Sequence, residues 1–362
     1  MPEKKMKKIM LMSFILAASS VSAAGPTLYG KVNKEFRYID QKTEAKYQKL
    51  SGITGVDDTE TRFGFKGSHE LSGSFDAAYK LEAGFNSFKD AGGTDTIRIR
   101  QANVVLKSNY GDFIFGQTDV PYRKEIKGMD PFDHSGLSAG CDLDDIQGRV
   151  ATTCSFYDRS RQDLVGYKTP NFAGFNYTLT IDRDNTAMAK TSSTATWYSN
   201  LLTYSKEFGV LKLRLHGSYN LEDQRNTDSK DANKFWDTGA KLGYLGATFG
   251  LNYMKRKLDR VSGARVERDY YLGAFSYKFG DFTAGLTYAE AKFDGDEVIG
   301  ATGSKGGEQT RISTGILYSF NKHVSTRLLY GNHVTKVNSG KLFSTRTDNK
   351  SHIILTGITL GF

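Results

Sequence analysis

Long apolar runs are missing from this sequence beyond its first two dozen residues. A mean hydropathy of -0.47 with 25% charged residues excludes a bundle of membrane-spanning helices, each of which needs ~20 consecutive apolar residues. Proline is scarce, at 5 of 362 residues, so extended ladders run uninterrupted. There are 2 cysteines, Cys141 and Cys154, too few for a disulfide-built scaffold. They have no paired histidines near them, which excludes a zinc site of the usual spacing. The six histidines (His69, His134, His216, His323, His333, His352) show no H-E-x-x-H or similar metal spacing. No phosphate-cradling glycine loop is present. These absences predict a protein without a metal or cofactor.

The first segment is a targeting signal. Lys4, Lys5, Lys7 and Lys8 precede a short apolar run from Ile9 to Ala18. Val21-Ser22-Ala23 and Ser22-Ala23-Ala24 both place small residues where a signal peptidase cuts. The run is too short to span a membrane. Residues 1–23 therefore read as a secretory signal peptide, with cleavage after Ala23 or after Ala24, and 24–362 as one mature unit. Losing four lysines and Glu3 lowers the formal charge from +9 to +6. The basic residues are dispersed and the chain is exported, which argues against nucleic acid and for lipid headgroups or anionic solutes. Export also makes Cys141–Cys154 a disulfide candidate. It would close a loop of about 14 residues, worth ~3 kcal/mol in the loop-entropy model.

What the sequence does have is period two. Leu211-Lys212-Leu213-Arg214-Leu215-His216-Gly217-Ser218-Tyr219 alternates apolar or small with polar, as do Phe282 to Tyr288 and Ile312 to Ile316. Strict alternation marks a strand with one apolar and one polar face. About 16 such segments occur on this criterion. Their centres are Val32, Phe65, Tyr79, Asn103, Ile114, Val165, Leu179, Leu201, Leu215, Gly239, Leu251, Leu272, Leu286, Ile316, Leu328 and Leu355. Tight connectors, such as Asn109-Tyr110-Gly111, Asn171 to Gly174, Tyr244-Leu245-Gly246 and Asn321-Lys322, alternate with long polar ones. The long ones include Gln41 to Glu60, Pro121 to Arg159, Leu221 to Ala232, Phe293 to Gly307 and Lys336 to Asn349. Two connector lengths in alternation are the signature of a transmembrane antiparallel β-barrel, with short periplasmic turns and long extracellular loops.

A soluble sandwich or propeller would point its apolar face inward and would not sort its loops into two lengths. The polar faces carry Lys, Arg and Glu at mid-strand, which a wet lumen accepts and a packed interior does not. Aromatic residues near strand ends, among them Phe208, Tyr244, Tyr277, Phe282 and Tyr318, suit interfacial girdles. Parity then assigns faces. Phe63 and Phe65 face lipid, leaving Arg62, Gly64 and Lys66 inward. Tyr79, Leu81 and Ala83 face lipid, leaving Lys80 and Glu82 inward. Ile97, Ile99 and Val105 face outward, leaving Arg98 and Arg100 inward. An outward charge at mid-membrane would cost ~2–4 kcal/mol.

Several segments carry a family resemblance: Thr27-Leu28-Tyr29-Gly30, TRFGFKGSHELSGSFDAAYKLE from Thr61 to Glu82, VVLKSNYGDFIFGQ from Val104 to Gln117, VGYKTPNFAGF from Val165 to Phe175, and the terminal Phe362. With these the chain resembles the Gram-negative porins, specifically the neisserial-type trimeric general-diffusion porins. The second half matches in strand rhythm and in its end. The resemblance implies a 16-stranded homotrimeric outer-membrane pore whose third long loop folds inward. It implies that Phe362 is the signal read by the barrel-insertion machinery. It also implies that Arg62 and Arg100 are basic residues of the pore eyelet, with Glu82 a lumen carboxylate. A third eyelet arginine falls at Ser160, between Arg159 and Arg161; Arg161 is preferred by its parity with Val165. Lys80 and Arg98 are added from parity. The inward loop is then Pro121 to Arg159, with Asp130, Asp133, Asp142, Asp144 and Asp145 opposite a basic wall, an arrangement that sets a transverse field. The expected partners are outer-membrane lipid, lipopolysaccharide and small hydrophilic solutes, with a mild preference for anions. Gly136-Leu137-Ser138-Ala139-Gly140 matches the G-x-S-x-G elbow but lacks the strand-turn-helix that such a nucleophile requires. The expectation is a channel and not an enzyme. A substrate-selective channel, or an esterase or adhesin on the same barrel, are the alternatives.

Overall fold

The computed structural model describes residues 25–43, 49–57, 61–72, 74–85, 97–132, 137, 161–184, 195–224, 233–259, 265–299, 304–337 and 347–362. Strand follows strand in antiparallel register: β1 Thr27–Thr43, β2 Lys49–Asp57, β3 Arg62–Ser72, β4 Phe75–Phe85, β5 Ile97–Ser108 and β6 Gly111–Asp119. The short helix α1 Pro121–Lys127 comes next, then β7 Arg161–Lys168, β8 Phe175–Asp184, β9 Ala195–Phe208, β10 Leu211–Gln224, β11 Asn233–Tyr244 and β12 Ala247–Asp259. The last five are β13 Arg265–Phe279, β14 Phe282–Ile299, β15 Ser304–Ser319, β16 Val324–Val337 and β17 Thr347–Gly361. β1 pairs with β17 from Lys31–Gly361 to Thr43–Asn349, which closes the sheet. Closure removes both edges, the condition for a sheet to sit in hydrocarbon.

The 17 hydrogen-bonded segments make sixteen barrel strands. β2 and β3 lie in line along the same edge of β1: the pair Lys34–Asp57 is followed by Lys31–Arg62. They act as one interrupted strand. Each of the sixteen centres read from period two falls in its own barrel strand. The long connectors were overestimated. Most of Gln41 to Glu60 is the β1–β2 ladder, and β14 with β15 extends to Ile299–Ser304. Polar, Thr-rich sequence reads as loop, yet it makes ladder once the hairpin below sets its register.

Five of the tight turns place a glycine at positive φ: Gly111, Gly174, Gly209, Gly246 and Gly280. In Ala173-Gly174 and Leu245-Gly246 both residues have positive φ, the two-residue turn whose twist matches its flanking strands.

Alternation of exposure follows the sixteen strands. Leu81, Ile99, Leu251 and Leu328 are outward and exposed, with Leu251 at 66%. At the short-turn rim, outward rings touch around the circumference: Phe113–Tyr167 at 5.1 Å, Phe175–Tyr204 at 4.6 Å, Phe249–Phe275 at 4.8 Å and Phe282–Tyr318 at 4.7 Å. This is the expected interfacial girdle. Phe362 completes it. Its backbone exchanges hydrogen bonds with Gly30, 2.9 and 3.1 Å, and its ring covers the space a Cβ at Gly30 would need.

Inward, the barrel is less uniform than alternation predicts. Tyr270, Leu272 and Ala274 of β13, Ala289 and Ala291 of β14, Leu329 of β16 and Ile353 and Leu355 of β17 are all buried on inward rows. The chain after β6 covers them. Val120, Tyr122, Ile126 and Met129 pack on one part of this apolar wall, with Trp197, Phe235 and Met254. Phe132 and Leu137, both wholly buried, pack on Ile39, Leu329, Ile353 and Leu355. Inward glycines accept them: a Cβ at Gly250 would lie 3.0 Å from Met129, one at Gly285 2.7 Å from Phe132, and one at Gly331 2.6 Å from Leu137. Each such apolar side chain contributes ~1.5–3 kcal/mol on burial. Arg327 adds a polar clamp, donating to the Phe132 carbonyl at 3.4 Å while pairing with Glu35 at 3.4 Å.

Gly285→Leu and Gly331→Leu should each lift the loop off the wall, overpacking by ~1–3 kcal/mol without breaking a strand. The expected result is heat-modifiable gel mobility as in the wild type and altered, noisier single-channel conductance. Wild-type conductance traces from both variants would refute the seating.

Candidate functional site

The lumen wall of β3, β4 and β5 gathers four side chains around one carboxylate. Glu82 sits nearly buried, and its Oε1 accepts from Arg100 Nε at 2.8 Å. Its Oε2 takes Arg62 Nε at 3.4 Å, Lys80 Nζ at 3.5 Å and the Tyr29 hydroxyl at 3.0 Å. Lys66 and Lys80 both stand over the Tyr29 ring, 5.4 and 5.5 Å from its centre. Cross-strand register explains the gathering: Gly64 lies opposite Glu82, and Lys66 opposite Lys80. Gly64 leaves room for Tyr29, whose hydroxyl would be 2.8 Å from a Cβ there.

A bulge finishes the arrangement. Glu82 pairs with Gln101 and Ala83 with Ile99, so Arg100 is the extra residue. Arg100 and Gln101 are both buried, one after the other. The extra residue inverts parity beyond it. Val104, not Val105, is the outward residue, at 43% exposed. The outward assignment of Val105 is thereby corrected; simple alternation cannot see a bulge.

The sites read from sequence divide into three groups. Arg62, Lys80, Glu82 and Arg100 meet. Arg98 is exposed, beside the end of β4 in register with Gly84. Arg161 is the first residue of β7 and shares the outward row of Val165, whereas Gln162 and Leu164 form the buried inward row. Parity with Val165 therefore argues against a lumen position for it. Its guanidinium instead turns to Asp119, 3.4 Å away, at the end of the neighbouring strand. Arg123 of α1 reaches the same carboxylate at 3.3 Å, and Gln101 donates to it at 3.2 Å. Asp130 shapes the loop, its Oδ1 accepting from the Phe132 amide at 3.0 Å. Asp133, Asp142, Asp144, Asp145, Cys141, Cys154, His134 and Ser138 lie outside the described residues.

The described part of the inward loop is basic. Arg123, Lys124 and Lys127 outnumber Glu125 and Asp130 between residues 121 and 132, so this stretch does not supply the acidic face expected opposite the wall. Glu125 is taken by Arg214 of β10 in a two-point contact of 2.5 and 2.6 Å, which ties α1 across the lumen. Lys241 of β11 donates to the Gly128 carbonyl. Sequence reasoning missed Asp119, Glu125 and Arg214; their roles depend on where the loop lands. Behind the loop, His216, Ser218 and Asp237 form a buried polar cluster. Both His216, at 2.8 Å, and the Ser218 hydroxyl bond to Asp237. The carboxylate stands between them, the reverse of the order in which a histidine activates a serine.

A closed membrane barrel with an inward loop and an ionised, hydrated lumen is a transmembrane pore. The family model for the Gram-negative porins matches residues 10–338, and the chain belongs to that family. Among curated proteins it is 28% identical to outer membrane porin protein 32 of Delftia acidovorans over 47% of this chain and 48% of the relative. It thus spans about half the length of that relative. The major outer membrane protein P.IB of Neisseria meningitidis serogroup B is 24% identical over 89% and 92%. Among solved structures, an anion-selective porin from Comamonas acidovorans superposes with a TM-score of 0.67 at 18% identity, covering 93% of this chain and 99% of that one. A trimer form of OmpT from Vibrio cholerae gives 0.63 at 16% identity, covering 93% and 99%. The protein is an outer-membrane diffusion channel, multi-pass by its strands, of a Gram-negative cell.

Glu82→Gln should remove the one carboxylate that Arg62, Lys80 and Arg100 share. One unit charge ~10 Å from a passing ion is worth about 0.4 kcal/mol in water, roughly twofold. Chloride gains that factor and potassium loses it, so the chloride-to-potassium permeability ratio should rise about fourfold at low salt. Reversal potentials under a KCl gradient report it, and a fall in that ratio would overturn the assignment.

Proposed function

We propose that the channel passes small hydrophilic solutes by passive diffusion with a preference for anions. The observation that carries this reading is the charge balance around Glu82: Arg62, Lys80 and Arg100 converge on a single carboxylate, with Lys66 beside them. The helix facing the lumen adds Lys124 and Lys127. Cations on both sides of a passage raise the local concentration of anions and repel cations, whatever the solute's chemistry. The likeness to an anion-selective porin supports the same sign. The family's activity is conduction, and we assign this chain no catalytic step.

The working form we propose is a homotrimer, supported by the trimer form of the OmpT relative. The leader, residues 1–23, directs export, and Phe362 offers the insertion machinery a terminal aromatic on an outward row with Ile354, Ile358 and Leu360. Contact with lipopolysaccharide is supported by an outward belt of ion pairs near the long-loop ends of β12 to β16. Lys255 and Lys257 each lie 2.8 Å from Glu267, and Lys292 lies 2.9 Å from Glu290. Such a belt suits the phosphorylated headgroups of the outer leaflet.

Arg62→Gln with Arg100→Gln should move the zero-current potential of the purified channel toward cations at 0.1 M KCl. The shift should shrink at 1 M, where the screening length falls from about 10 to about 3 Å. A double variant that keeps the wild-type potential at low salt would end this reading.

A further inference from the structure

Beneath the loop helix, on the side of the short turns, lies a cavity of about 400 Å³. Lys124, Lys168, Arg214 and Lys241 line it together with one carboxylate, Glu125. Three strand ends supply the wall. Lys168 is the last residue of β7, Arg214 is near the start of β10, and Lys241 is near the end of β11. Each lies on its strand's inward row, in step with Leu164, His216 and Asp237.

The charges do not cancel. Both oxygens of Glu125 are engaged by Arg214, which leaves that pair neutral. Lys241 donates to the Gly128 carbonyl, an acceptor without charge. Lys124 and Lys168 are exposed, and among the described residues neither has a carboxylate within ion-pair distance. Asp112 is the cross-strand neighbour of Lys168 but forms no ion pair with it. Lys124 is repelled by Lys80 and Lys168. It is attracted by Asp119 and Glu125, which arginines already hold. Three ammonium groups therefore face one hydrated recess whose nearest carboxylates are engaged elsewhere or out of reach.

We propose that this recess is a binding site for a small multivalent oxyanion, a solute bearing phosphate or carboxylate groups, held briefly during passage. The proposal deepens the anion-preferring reading and rests on it. A lysine ammonium is a compact charge with three donors on a flexible stem, so three of them adapt to a tetrahedral or planar oxyanion. A multivalent anion bridges several at once, whereas chloride satisfies one at a time. The arginine wall then sorts solutes by sign, and the recess sorts them by valence.

The test uses the purified full chain in planar bilayers in KCl, titrated with pyrophosphate in one arm and citrate in the other. The expected result is a reversible, saturating reduction of chloride current by at least one of the two. The more potent one tells whether phosphate or carboxylate is preferred. Lys168→Ala and Lys124→Ala should each raise the half-blocking concentration roughly tenfold, as expected for one lost charge-assisted contact. Lys168→Arg should retain the block and Lys168→Glu should abolish it. Lys168 is exposed at a strand end, so these variants leave the barrel able to fold; heat-modifiable mobility checks this. A current that falls without saturation in the wild type, or a block that persists unchanged in Lys168→Glu, overturns the site. The underlying anion preference is read separately, as the wild-type reversal potential in KCl alone. A cation-preferring wild type sinks that reading, whereas the block can be absent with anion preference intact.

Discussion

Everything in this molecule follows from the demand that no backbone N–H or C=O be left unpaired in hydrocarbon. β1 meets β17 along thirteen residue pairs from Lys31–Gly361 to Thr43–Asn349, and the sheet has no edge left to satisfy. Once the sheet is closed, period two does the rest. One row of every strand must be apolar because it touches lipid, and the other is free to carry charge because it touches water. Phe362 shows how local and global demands meet: the same residue ends the outward row of β17, closes the ladder against Gly30 and joins the aromatic rim.

Closure also creates a problem of size. A sixteen-stranded tube is too wide to restrict solutes by wall side chains alone, so the restriction must come from a segment laid across it. Here that segment is held as a core is held. Met129, Phe132 and Leu137 fill glycine notches at Gly250, Gly285 and Gly331, and Arg327 and Arg214 tie it at two places. Buried apolar residues of β13, β14, β16 and β17 thus seat the loop, beside buried polar ones such as Gln309, Arg311 and Ser313 of β15, while the inside of β3 to β5 carries the charged cluster around Glu82. The buried arginines are not isolated there: Arg327 and Arg37 share Glu35, as burial of charge requires.

The charge distribution was legible in part. Arg62, Lys80, Glu82 and Arg100 emerged from alternation alone or with the family resemblance, and they meet around one carboxylate because β3, β4 and β5 are consecutive hairpin neighbours with short-range register. Arg161 pairs with Asp119 and not with Glu82: it shares the outward row of Val165, so the parity that suggested it argues against the lumen. Val105 was misassigned for a different reason. One extra residue at Arg100 reverses every face after it, and a bulge leaves no mark in a pattern of polar and apolar residues.

The strand count, the outward row of strands without a bulge, the positions of the turns and the basic character of the first lumen wall were determined by the amino-acid order itself. These features depend on interactions between residues one, two or a few positions apart. Where the inward loop lands, which wall it covers and which charges it brings face to face were decided by tertiary structure alone. Tyr270, Leu272 and Ala274 look like any two-sided apolar strand beside Tyr271 and Phe275 until a segment some 140 residues earlier in the chain is seen to lie on them. That contact depends on complementary shapes at large sequence separation, and neither partner's local pattern encodes it.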